Sequence, residues 1–184
     1  MFEEILVALT KVLDRQSIPY MIIGGQAVLL YGEPRVTRDI DITLGVDTDR
    51  LCELLRLAHE LSLRALPDEI EKFVHETMVL PCMHEGTGIR VDFIFSFTPY
   101  EAQAIKRANK VVILGEEVCF ASPEDAIIHK VFAGRPRDIE DARSILLRND
   151  DIDVGYIRSW LDQFDISCEG HGFRKQFEDV LREA

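Results

Sequence analysis

Residues 18–44 read IPYMIIGGQAVLLYGEPRVTRDIDITL, and this stretch decides the fold. Ile18–Ile23 is rich in β-formers and runs into Gly24-Gly25, the pattern of a strand followed by a tight turn. Gln26–Tyr31 reads as a short buried helix, stopped by Gly32 and Pro34. Asp39–Leu44 alternates polar and apolar residues, the period of a half-buried strand. Ile40, Ile42 and Leu44 take one face; Asp39, Asp41 and Thr43 take the other. Two glycines let a backbone approach a phosphate closely, and a helix start behind them offers free N–H groups to an anion. Two carboxylates about 6–7 Å apart on one strand face repel each other. A divalent cation with hard oxygen ligands, Mg²⁺ above all, relieves that repulsion. The same alternation also describes the solvated face of an edge strand, and the spacing alone leaves both readings open.

Working outward, Phe2, Ile5, Leu6, Leu9, Val12 and Leu13 recur at helical spacing over residues 2–16. Leu51, Leu54, Leu55, Ala58 and Leu61 do the same over 49–62. Residues 73–82 and 89–97 flank Gly86-Thr87-Gly88 and predict a hairpin. In its second arm Val91, Phe93, Phe95 and Phe97 share one face; Arg90, Asp92, Ile94 and Ser96 share the other. Pairing of this arm beside Asp39–Leu44 would add Asp92 to the two carboxylates there. Thr98-Pro99 with Glu101, and Ser122-Pro123 with Asp125, each give a capping hydroxyl, a proline at the first helical position and an acid three residues after the cap. Lys110–Leu114 and Glu117–Phe120 are short strands around Gly115. From Pro123 onward the pattern is helical, broken at Gly134–Pro136, Asn149–Asp153 and Gly170–Gly172. The expected fold class is α/β (α+β), a small mixed sheet flanked by helices. Its expected organisation is an αβ core over 1–121 and a helical part over 122–184, which can pack as one unit with the core.

Composition narrows the class. At 184 residues the chain suits one domain, or one domain with a small helical appendage. A hydrophobic fraction of 47% with 29% charged residues excludes wholesale disorder. No apolar run approaches the roughly 18–20 residues of a membrane span. The acidic start, Met1-Phe2-Glu3-Glu4, lacks the layout of a secretory leader, so a cytoplasmic protein is expected. Cys52, Cys82, Cys119 and Cys168 have no metal-site spacing and read as reduced thiols in or near the core. The histidines show no clustered ligand spacing, and Trp160 with Leu161 and Phe164 reads as core. Lys+Arg 21 against Asp+Glu 33 gives a net charge of −12, which excludes an extended basic footprint for DNA. Local basic patches remain, at Arg135, Arg137 and Arg143 or at Lys106, Arg107 and Lys110.

Gly24-Gly25, a gap of 13 residues, Asp39-Ile40-Asp41 and a later strand carrying Asp92 together resemble the DNA polymerase β-type nucleotidyltransferase superfamily. The stretch 24–44 resembles more narrowly the minimal nucleotidyltransferases, including the abortive-infection type IV toxin group (AbiEii-like). The run from His129-Lys130 through Arg135, Arg137, Asp138 and Asp141 is similar to a later motif of that group. Gly25 stands where many members of the superfamily carry serine.

The resemblance implies a nucleotidyltransferase fold and a Mg²⁺-dependent, two-ion transfer of an NMP from an NTP to an acceptor hydroxyl, with pyrophosphate leaving. It implies Asp39, Asp41 and Asp92 as catalytic metal ligands. Gly24, Gly25, Arg38 and Lys130 would contact the nucleotide, and Arg35, Arg135, Asp138 and Asp141 would support them. The acceptor would be a tRNA 3′ end, a protein or a small molecule. A toxin with an antitoxin partner is one implied role. The alternative is a catalytically idle module of the same fold that binds a partner. A sugar transferase built on Asp-x-Asp is disfavoured by chain size and by the upstream Gly-Gly. An EF-hand is disfavoured by the absence of a 12-residue loop ending in Glu.

Overall fold

Helix α1 (Phe2–Arg15) buries Ile5, Leu6, Leu9, Val12 and Leu13, the stripe its spacing predicted. The computed structural model describes residues 2–96, 98–168 and 170–184, so the facing assigned to Phe97 lies outside the described residues. Strand β1 (Tyr20–Ile23) leads directly into helix α2 (Gly24–Tyr31). The two glycines are therefore the first residues of the helix rather than a separate turn. Strand β2 is Asp39–Leu44. A 3₁₀ turn at Thr48–Arg50 opens helix α3 (Leu51–Glu60), which is followed by strand β3 (Leu63–Ala65).

Residues 73–77, expected as strand, belong instead to helix α4 (Ile70–Thr77). Its one buried side chain, Val74, packs into the core, and Met78 closes it in the left-handed conformation. Packing of Val74 here overrides the strand preference of Phe73, Val74 and Thr77. The hairpin itself is shorter than expected: β4 (Val79–His84) and β5 (Arg90–Phe95). Helix α5 (Pro99–Arg107) and the hairpin β6 (Asn109–Ile113) and β7 (Glu116–Phe120) follow. Thr98 caps α5 through the Glu101 amide, as its sequence predicted.

Among the described residues seven strands form one mixed sheet in the order β3-β4-β5-β2-β1-β7-β6. The β2–β5 and β1–β7 pairs are parallel and the others antiparallel. One continuous core holds the α1 and α3 stripes together with Ile40, Ile42, Leu44, Val91, Phe93 and Phe95. Each of these side chains contributes roughly 1.5–3 kcal/mol by leaving water. That burial pins the register, because a one-residue slip would turn the carboxylates of β2 into the core.

Four helices follow: α6 (Pro123–Ala133), α7 (Pro136–Arg148), α8 (Val154–Ser167) and α9 (Phe173–Glu183). Their breaks fall at the three predicted segments. Ser122 caps α6 by accepting from the Asp125 amide, and Gly134 ends it at φ +65°. The chain divides into two compact units. One is Met1–Gln26 with Thr37–Phe120, which holds the whole sheet; the other is Ala27–Val36 with Ala121–Ala184, which holds the four C-terminal helices. The helical unit has its own buried set, including Val28, Ile127, Ile128, Val131, Ile145, Leu161 and Phe177. Trp160, expected in the core, is only partly buried on α8 and lies against the Phe164 ring, with centroids 6.2 Å apart. Cys82 is buried, Cys119 and Cys168 are half-buried, and Cys52 is exposed, so the expectation of core thiols fails at Cys52. No helix among the described residues is long and apolar enough to cross a membrane.

Candidate functional site

Parallel pairing of β2 with β5 sets Asp41 directly beside Asp92, and Asp39 beside Arg90. Adjacent strands lie about 4.8 Å apart, and partners in register point to the same face. Asp39, Asp41 and Asp92 therefore share one face of the sheet, opposite the core residues Ile40, Ile42 and Val91. Asp39 is exposed; Asp41 and Asp92 are half-buried. The alternation in DIDITL and in RVDFIF placed each carboxylate on its strand face, and the register brings the three together.

The glycines are required by this arrangement. Gly24 has φ +62°, and a Cβ there would stand 1.9 Å from Asp41 Oδ2. The Asp41 carboxylate thus lies against the backbone at the start of α2. A Cβ on Gly25 would stand 2.4 Å from Thr37 Oγ1. The Thr37 hydroxyl fills the space that a side chain at position 25 would need. Gln26 donates from Nε2 to the Asp39 carbonyl at 3.4 Å, tying the helix start to the strand that carries the carboxylates.

Arg90 is the residue that the sequence reading passed over. Its Nε donates to Asp92 Oδ1 at 2.7 Å. Its guanidinium is held charged, first by that hydrogen bond against the cost of burial, then by the negative charges of Asp92, Asp39 and Asp41. Arg90 thus sits among all three carboxylates while bonding one of them. Among the described residues, no three Asp, Glu, His or Cys side chains converge as a finished metal cage. The donor chemistry nonetheless fits a divalent cation such as Mg²⁺: three hard carboxylate donors on one face of the sheet, two of them directly side by side. Beside Arg90 opens a cavity of about 520 Å³, walled by Leu66, Asp68, Phe73, Glu76 and Pro81.

A second charged group lies within the helical unit. Lys130 Nζ bonds Asp138 Oδ1 at 2.8 Å and Asp141 Oδ2 at 2.9 Å. Arg35 grips Asp141 with two bonds, Nε to Oδ1 at 3.0 Å and Nη2 to Oδ2 at 2.9 Å. Arg135 Nε reaches Asp138 Oδ2 at 2.8 Å. The side chains of Lys130, Asp138 and Asp141 are 10%, 8% and 7% exposed, so this is a buried network. Burial raises the Asp138 pKa, but the bonds and charges of Lys130 and Arg135 outweigh it and hold the carboxyl below its ordinary value. Beside them, burial pushes His129 down to about 4, and the positive charge of Lys130 pushes the same way. Arg38, the remaining expected nucleotide contact, is exposed immediately before β2. Arg90 sits two residues before Asp92 on β5, so period-2 spacing along that strand is the signal that points to it; Thr37 lies ahead of β2, where no local pattern marks it.

Solved structures share this architecture. The antibiotic-resistance factor ANT(2'')-Ia, determined in solution, superposes with a TM-score of 0.64 at 18% identity, over 92% of this chain and 95% of that one. An antigenic nucleotidyltransferase-like protein from Paracoccidioides brasiliensis superposes with a TM-score of 0.58 at 18% identity, over 98% and 91%. The lincosamide antibiotic adenylyltransferase LnuA, bound to lincomycin, gives 0.54 at 14% identity, over 77% and 94%. At such identities the likeness is one of fold. No curated protein matches the sequence. A family model described as a nucleotidyltransferase of unknown function (DUF6036) matches residues 1–178, and the chain belongs to that family.

Proposed function

We propose that this protein is a Mg²⁺-dependent enzyme that moves an NMP from an NTP to the hydroxyl of an acceptor. The observation that carries the proposal is the β2–β5 register, which puts Asp39, Asp41 and Asp92 on one face beside the glycine start of α2. Asp39 and Asp41 would hold two ions, with Asp92 completing the ligand set. Bound Mg²⁺ supplies charge neutralisation for the triphosphate and its leaving group. Asp92 takes the proton of the attacking acceptor hydroxyl. The acceptor oxygen bonds to the α-phosphorus, the bond to the bridging oxygen breaks, and pyrophosphate departs. Gly24 and Gly25 present backbone to the phosphates at the start of α2, where free N–H groups favour anions, and the Thr37 hydroxyl stands beside them. Arg38 is an exposed cation for the same ligand. By the family resemblance Lys130 would contact the nucleotide, with Arg35, Arg135, Asp138 and Asp141 supporting it.

For the acceptor, a small molecule is the better reading. The cavity walled by Arg90 is of a size that takes one, and the net charge of −12 opposes a long polyanion. ANT(2'')-Ia is an antibiotic-resistance factor, and LnuA is an adenylyltransferase of a small antibiotic. Transfer to a tRNA 3′ end, as the toxin of a toxin–antitoxin pair, is the form the narrower family resemblance suggests. An idle binding module is favoured by one observation, the Arg90 guanidinium already seated on Asp92.

Calorimetric titration with Mg²⁺ and each of the four NTPs tests the proposal, with the Asp39→Ala/Asp41→Ala double variant as control. The expected result is saturable, Mg²⁺-dependent binding of at least one NTP, lost in the double variant. Labelled-NTP transfer onto small-molecule, tRNA and protein pools then follows. A folded protein that binds no NTP with Mg²⁺ present overturns the enzyme reading.

A further inference from the structure

Asp41 and Asp92 lie side by side on adjacent parallel strands, and Asp39 is two residues from Asp41 on the same face. Like charges directly opposite each other across a strand pair are destabilising. A cation within the chain offsets this. Arg90, register partner of Asp39, turns its Nε onto Asp92 Oδ1 at 2.7 Å. The bond is partly shielded, with the Asp92 side chain 18% exposed and that of Arg90 45% exposed. A divalent ion needs the same carboxylate oxygens, so an ion at Asp92 and the guanidinium at Asp92 oppose each other.

The guanidinium also has a second place to go. Arg90 forms part of the wall of the 520 Å³ cavity, which also carries the carboxylates of Asp68, Glu69 and Glu76. The cavity's other cation, Lys72, is paired with Glu69 at 3.3 Å. A guanidinium leaving Asp92 thus stays among negative charges.

We propose that Arg90 is a built-in competitor of the divalent cation: it holds Asp92 and stabilises the carboxylate face without an ion, and it yields Asp92 when the ion binds. Arg90 is in this sense a positioning residue, and the inference rests on the reading of Asp39, Asp41 and Asp92 as ion ligands. It also accounts for the carboxylates standing short of a finished cage while Arg90 is in place.

The test uses Mn²⁺ alone, followed by electron paramagnetic resonance on the full chain, so that nucleotide and acceptor play no part. Arg90→Gln is expected to bind Mn²⁺ about 1.5-fold to fivefold more tightly than the unmodified protein, the range a partly exposed ion pair commands. Arg90→Lys, which keeps the charge but not the forked geometry, should fall between them. In an Asp92→Asn background the effect of Arg90→Gln should vanish, because nothing is left to compete for. Thermal unfolding gives an independent readout. With chelator, Arg90→Gln should melt below the unmodified protein, and it should gain more on adding Mn²⁺. Equal or weaker Mn²⁺ binding by Arg90→Gln and Arg90→Lys, with the unmodified protein binding normally, overturns the competition and leaves the ion site standing. A gain that persists in the Asp92→Asn background also overturns it. Absence of Mn²⁺ binding by every form overturns the ion site itself, and the competition with it.

Discussion

On the sheet, Asp39, Asp41 and Asp92 share one partly open face with the Arg90 guanidinium. In the helical unit, Asp138 and Asp141 share Lys130, Arg35 and Arg135 in a network that is largely buried. The first group is crowded and reachable, the arrangement that draws a cation from solution. In the second, every aspartate is bonded at least twice, so little of its charge is left for a ligand. The family resemblance assigns ligand-directed roles to residues of both groups, but the physics separates them. Removing a charge from a satisfied buried network strands its partner, whereas removing one of three crowded carboxylates relieves repulsion.

Lys130→Met presses hardest on this contrast. It leaves Asp138 and Asp141 buried without their shared cation, and the expected loss of stability is about 3–5 kcal/mol. Denaturant unfolding followed by the fluorescence of Trp160, the chain's one tryptophan and a residue of α8, reports it. A variant as stable as the unmodified chain would break the contrast.

Acid should act next most strongly, again on the helical unit. His129 is held near 4 in the fold against an ordinary value of about 6.5, so the unfolded chain binds a proton more readily. Its contribution to stability is intact above pH ~6.5 and is lost as pH falls toward 4. Asp138, held below its ordinary value, loses its own contribution at still lower pH. A loss of about 2–3 kcal/mol between pH 7 and 4 is expected. His129→Gln should flatten the upper part of that profile, and an unchanged slope would remove His129 as its cause.

The smallest effect is expected on the sheet. Asp39→Asn should leave stability within about 0.5 kcal/mol of the unmodified chain, on the stabilising side, because one of the crowded carboxylates, at an exposed position, becomes neutral. The same variant should lose Mn²⁺ binding. A marked fall in its melting temperature would show that the carboxylate face is structural after all, and the two groups would then differ in exposure alone.

Much of this was legible before any fold was known. DIDITL and RVDFIF each announce a strand with carboxylates on one face, because a two-residue period follows from backbone geometry. Ser122-Pro123 and Thr98-Pro99 announce helix starts because a hydroxyl cap and a proline at the first helical position are local chemistry. Residues 73–77 were misread because their β-branched and aromatic content is a weak preference that one buried contact at Val74 reverses. The glycine pair was legible as a place where backbone must come close. What comes close, Asp41 and Thr37, lies beyond the reach of a local reading.

Amino-acid order alone therefore determined the elements, their buried faces and the kind of chemistry that three aspartates and two glycines can support, since periodicity, capping and charge act over a few residues. Tertiary structure alone decided that Asp41 lies beside Asp92, that Arg90 is spent on that carboxylate, and that Lys130 is enclosed by Asp138 and Asp141. The parallel register of β2 on β5 joins residues some fifty positions apart, and it is set by the burial of Ile40, Ile42, Val91 and Phe93. The same hydrophobic packing that gives the sheet its stability thus fixes which charges meet on its other face.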